Sequence, residues 1–207
     1  MDRQNDRAKL LGEEEIGKLL LQFSIPAIVG MLVNALYNIV DRIFIGKGVG
    51  SIGIGAIFVA SPVSLILMAF SMLIGVGGNS LSSIKLGEGK KDEAEQILGN
   101  ALVLLFTIAL ILGVSGLIFI EPLLQTFGAS KTILPYSIAY MSIILIGAPF
   151  QAVGFGMNNF IRGEGNPRIA MGTMLIGAIL NIILDYAFIF IFDMGIKGAA
   201  LATIIAQ

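Results

Sequence analysis

The chain has 207 residues, of which 56% are hydrophobic and 13% charged, and its formal net charge is −1. Soluble domains carry about a quarter charged residues, so this composition excludes an ordinary water-soluble fold. With neither cysteine nor histidine, disulfides, thiolate chemistry, zinc sites and imidazole proton relays are excluded as well.

The charges are clustered. Residues 1–18 are polar and mixed in sign, and the segment 1–15 is expected at the membrane surface. No Asp, Glu, Lys or Arg falls in 19–40, 48–84, 96–120 or 132–161, and between Arg168 and Asp193 the one charge is Asp185. A helix that crosses a bilayer needs about 20 predominantly apolar residues, so each window is long enough. The spacing predicts helices over 16–45, 51–84, 94–120, 132–160 and 168–192 within one membrane unit, 16–207. Glu121-Pro122 is expected to close the third. A sixth apolar segment, 198–207, is too short to span, and the chain reads as a fragment of a longer polypeptide. No period-2 alternation argues for a β-barrel, and the polar start lacks the pattern of a cleaved signal peptide. The fold class is therefore an all-α polytopic membrane protein.

Orientation follows from the short loops. With five alternating spans, one side holds Arg3, Arg7, Lys9, Lys18, Lys85, Lys90, Lys91, Arg162 and Arg168. The other holds Arg42, Lys47, Lys131 and Lys197. The positive-inside rule places the first side, and the N-terminus, in the cytoplasm. The expected location is the plasma or inner membrane.

Asp185 lies in an almost wholly apolar segment, with Asn181 one helical turn before it on the same face. An ionisable group at that depth is costly and marks an ion or substrate path. Asp41, Asp185 and Thr203 each lie about 9–12 Å inward from the outer loop residues, at a rise of 1.5 Å per residue. Asn34, Asn38 and Asp41 share one face of the first span, with Tyr37 beside them, and Tyr140 reaches a similar depth from the fourth. This all-oxygen set suits a hard cation such as Na⁺ held by Asp41, Asn181, Asp185 and Thr203, or a proton shared between two carboxyls. The plainer reading of Asn34 and Asn38 is interhelical hydrogen bonding; for Asp41 it is a pairing with Arg42 near the surface. Pro26 sits below the acidic level, as either a static kink or a hinge.

Several stretches resemble the multidrug and toxic compound extrusion (MATE) transporters: SIP at 24–26, YNIVDRIFIG at 37–46, RGEGNPR at 162–168, LNIILD at 180–185 and GAALAT at 198–203. The resemblance covers essentially the whole chain. It implies the amino-terminal six-helix lobe of a twelve-helix transporter, with the sixth helix truncated and a carboxy-terminal lobe of the same polypeptide as the missing partner. It further implies export of small organic, often cationic, compounds across the lipid bilayer by alternating access, coupled to inward H⁺ or Na⁺. No other cofactor, no enzymatic activity and no nucleic-acid partner is expected. The polar groups that the family uses in this lobe fall on Asp41, Asn181, Asp185 and Thr203, with Tyr37 and Tyr140 near by.

Three other functions compete, one of them a non-transporting membrane scaffold, whose main difficulty is the buried carboxylates. A lipid-linked oligosaccharide flippase of the same superfamily would want an Arg-rich lumen, which the helix interiors lack. An intramembrane aspartyl protease would need Asp41 and Asp185 to face each other, and neither sits in a Gly-x-Gly-Asp element.

Overall fold

In the computed structural model, residues 15–207 are described, and the side chains at 19, 22 and 23 are left aside. The expected surface segment 1–15, with Arg3, Arg7 and Lys9, therefore lies outside the described residues but for Glu15. The helices are α1 (Ile16–Gly48), α2 (Ser51–Gly87), α3 (Lys91–Ile118), the short α4 (Ile120–Thr126), α5 (Leu134–Gly163), α6 (Pro167–Tyr186) and α7 (Gly195–Ala206). Between α6 and α7 runs a π-helical turn, Ala187–Ile191. Among the described residues five helices are long and apolar enough to cross a membrane, and no strand occurs.

Short connections force successive long helices to run antiparallel. Two of these turns are built alike from the sequence Gly-Glu-Gly. After α5, Gly165 takes φ +80°, its N–H donates to the Arg162 carbonyl at 3.0 Å, and the Asn166 N–H donates to Ile161 at 3.2 Å. After α2, Gly89 and Lys90 repeat the pattern onto Leu86 and Lys85. Both are Schellman caps, which need a residue in the left-handed region. Pro167 then opens α6 at its first turn, where its missing N–H has no partner to lose. These two turns define the basic end of the lobe.

Glu121-Pro122 does not simply close the third span. That helix stops at Ile118, and the pair falls in the first turn of α4, because proline is tolerated at a helix start and Glu favours the positive end of the dipole. The last apolar helix begins at Gly195, three residues before the expected Gly198.

α5 is the central helix, in contact with α2, α3, α4, α6 and α7. Its buried Tyr140, Met141, Ile144, Leu145 and Ala148 pack against Ala56 to Leu67 of α2, Leu124 of α4, and Ile196 and Ala200 of α7. Hydrocarbon gives no hydrophobic drive for helix pairing, so close approach has to supply it. At the α2–α5 crossing, a Cβ on Gly75 would stand 2.8 Å from the Gly156 Cα. Gly78 likewise faces Phe160 and Ala101, whereas Gly77 faces open space; of these three glycines, two are packing devices. By contrast α1 leans chiefly on α6.

Candidate functional site

The site grows from the α1–α6 contact. Phe44 meets Phe190 edge-on at 5.7 Å and lies 6.4 Å from Tyr186, and Tyr186 and Phe190 are 5.6 Å apart. This aromatic trio clamps α1 to the end of α6 and the π turn, within five residues of Asp41 or Asp185 in sequence. The π turn sits here too. Ile189, buried with Ile45 and Ala199, lies directly over Gly48, where no Cβ would fit. Such turns recur at functional sites because they re-aim the side chains beside them.

Asp185 is 0% exposed, Asn181 2% and Asp41 9%. The carboxyl groups of Asp41 and Asp185 lie within hydrogen-bonding reach of each other. As ionised groups they are acceptors only, and Asp41 Oδ1 and both Asp185 oxygens have no donor among the described residues. Both amide atoms of Asn181 are buried without a partner as well. Buried polar atoms are nearly always satisfied, so this cluster of orphans fits a bound cation or proton. Arg42 is exposed and forms no ion pair with Asp41 within the described residues.

The other predicted residues surround the pair. Thr203 donates to the Ala199 carbonyl at 3.0 Å, which leaves its oxygen free to accept, and it stands beside the buried Tyr140 hydroxyl. Tyr37 lies beside Asn38 and Gln207. Asn38 turns back along its own helix, its amide donating to the Asn34 carbonyl at 2.7 Å and to Asn34 Oδ1 at 3.2 Å; it supports α1 rather than the acid pair. Pro26 is buried, and α1 continues unbroken through it.

A cavity of about 710 Å³ opens below, lined by α1, α2, α5, α6 and α7. Tyr37, Asn181 and Thr203 belong to its wall, while Asp41 and Asp185 do not. Towards the basic end the wall includes Gln151, Asn158, Asn159, Arg162 and Thr173, none of which stands out in the sequence as a site residue. Arg162 reads there only as a loop charge. The one available signal is the pair Asn158-Asn159, amides interrupting an otherwise apolar run.

A polytopic helical lobe with a buried acid pair above a central cavity is the architecture of a secondary transporter. The MatE family model matches residues 26–187, and the chain belongs to that family of membrane transporters. It is 34% identical to the FAD transporter of Shewanella oneidensis over 96% of this chain and 44% of that protein. It is also 34% identical to the multidrug export protein MepA of Staphylococcus saprophyticus, over 94% and 43%. Among solved structures, a ligand complex of the MATE multidrug transporter DinF-BH is 44% identical, with a TM-score of 0.89 over 95% of this chain and 44% of that one. The chain thus spans less than half the length of these relatives.

Proposed function

We propose that this chain forms one lobe of a cation-coupled antiporter that exports organic compounds, and that Asp41, Asp185, Asn181 and Thr203 hold the coupling ion. The observation that carries the proposal is the set of buried, unpartnered atoms on Asp41, Asp185 and Asn181. They converge from α1 and α6 at one buried point. A proton between the carboxyls, or a Na⁺ taking their oxygens with those of Asn181 and Thr203, would satisfy them together. The relatives named for multidrug export support the substrate class.

The geometry supports a route for the coupling. Asn181 and Thr203 also stand in the cavity wall, so an ion held with the acid pair and a compound in the cavity would compete for those two residues. Pro26 removes one helical hydrogen bond on the basic side of the pair, which gives α1 a place to bend when the acid pair is protonated. The basic end faces the cytoplasm on the charge count of its loops, and rocking against a second lobe completes the cycle. A flippase would draw on a cationic lumen, and Arg162 is one such charge only. A protease of this kind carries a Gly-x-Gly-Asp element, and neither Asp41 nor Asp185 sits in one.

The test is efflux of a fluorescent organic cation from vesicles holding the protein at its native length, driven by an imposed pH or Na⁺ gradient. Asp185→Asn and Asp41→Asn should each lower gradient-driven export at least tenfold, and replacing Pro26 by Ala should slow it. Undiminished export in both aspartate variants would refute the coupling site. The gradient that drives the wild type identifies the ion.

A further inference from the structure

The cavity wall holds 23 residues, and the one whose side chain is ionised at neutral pH is Arg162. The acid pair, which the preceding reading uses, is screened from it. Arg162 is half-buried and forms no ion pair within the described residues. Its single hydrogen bond there runs from Nη2 to Asn159 Oδ1 at 3.1 Å. Asn159 is fixed in turn, because its Nδ2 donates to the Phe155 carbonyl at 3.0 Å. A guanidinium offers five N–H donors in a planar fork, so a positioned group with most of its donors unspent faces a chamber lined, among the described residues, by no acidic side chain.

A second observation lies one turn above. Asn158 Nδ2 donates to the Ala170 carbonyl at 3.1 Å and to Thr173 Oγ1 at 2.9 Å. Thr173 itself donates to Ala170 at 2.8 Å. Those bonds fix the amide, leaving Asn158 Oδ1 as a buried acceptor without a donor in the same wall. A positioned fork next to an unfilled acceptor matches a ligand that presents an anionic group beside an N–H or O–H.

We infer that the basic-end mouth of the cavity is an anion-recognising subsite, in which Arg162, oriented by Asn159, takes a carboxylate or phosphate and Asn158 Oδ1 takes a neighbouring donor. The inference deepens the exporter reading and rests on it for the identity of the ligand as cargo. Two sources of the anion are open to this chemistry: the cargo itself, or the headgroup phosphate of a lipid at the membrane surface.

The experiment uses the protein at its native length in phosphatidylcholine nanodiscs. The probes are a xanthene dye with a free carboxylate and its ethyl ester, titrated by fluorescence polarisation. Arg162→Gln should weaken the acid dye about tenfold, with ester affinity within about twofold, as expected for loss of one charge-assisted fork. Unchanged ester binding also certifies the fold. Arg162→Lys keeps the charge without the fork and should recover part of the loss. Equal weakening of both dyes would overturn the proposal and return Arg162 to a helix-end role, as would acid-dye binding that ignores Arg162. Repetition in alkyl maltoside micelles, which carry no phosphate, separates the sources. If a lipid phosphate fills the fork, the phosphate-free micelle tightens the acid dye in the wild type and not in Arg162→Gln; if the cargo does, the two media agree. Both results uphold the subsite. Arg162-dependent binding with no export of either dye would sink the exporter reading and leave the subsite standing.

Discussion

Asp41 on α1 and Asp185 on α6 bring their carboxyl groups within hydrogen-bonding reach of each other, in a space that the adjoining cavity does not reach. Two charges on separate helices thus form one buried unit whose occupancy both helices feel. That relationship is what converts an awkward acidic residue into a candidate switch, and it yields the first prediction.

Asp185→Asn removes a buried charge while preserving shape. Burying an unpaired carboxylate is expensive, so this variant should fold at wild-type yield with a thermal midpoint unchanged or raised by a few degrees, even as export falls. Differential scanning fluorimetry of the purified protein checks it. A midpoint lowered by more than about 5 °C would mean that the pair serves stability rather than transport.

The α2–α5 crossing offers a paired test. Gly75→Ala places a methyl against the Gly156 backbone, and overpacking of this kind costs about 1–3 kcal/mol. Gly77→Ala meets nothing within 4 Å and should stay within about 0.5 kcal/mol of wild type. Denaturant unfolding in detergent measures both, and equal effects would contradict the assigned packing.

At the α5–α6 turn, Gly165 holds φ +80°. An L-residue in that region costs roughly 1–2 kcal/mol, so Gly165→Ala should loosen the cap and speed amide exchange at Asn166, whose N–H now donates to Ile161. The neighbouring Glu164, at φ −73°, tolerates Ala and provides the control.

The α2–α3 turn is tied by ion pairs: Lys90 to Glu88 at 2.9 Å, Lys85 to Glu88 at 3.3 Å and Lys85 to Glu93 at 2.9 Å. Lys90 first, then Lys85, holds the Glu88 carboxyl below the usual carboxylate range. Because its folded value is depressed, the ordering it gives is present above the ordinary value of about 4.3 and is lost as pH falls through the lowered one. Exchange at residues 88–90, taken relative to the intrinsic rate at each pH, should therefore rise below about pH 4. It should rise similarly at neutral pH in about 1 M salt, where the screening length is roughly 3 Å. Pulsed hydrogen exchange across both conditions makes the comparison; indifference to salt would reject the ion-pair account.

The amino-acid sequence alone carried the helical membrane class, because long charge-free windows admit little else, and it selected Asp41, Asn181, Asp185 and Thr203, because polar groups at bilayer depth are conspicuous. It also contained the Gly-Glu-Gly caps, whose chemistry is local. Three things had to wait for the folded chain. Whether the two aspartates meet depends on the azimuth of α1 against α6, which is set by the Phe44–Tyr186–Phe190 contact and the π turn and is not encoded in depth along a helix. That Asn38 serves its own helix follows from a rotamer choice between two nearby acceptors. The place of Arg162 in the cavity wall was hidden for the opposite reason: a charge beside a loop looks like an ordinary surface residue until neighbouring helices close a cavity around it. Periodicity and hydropathy report the environment of each segment by itself, whereas a site is a juxtaposition of segments, and only packing decides that.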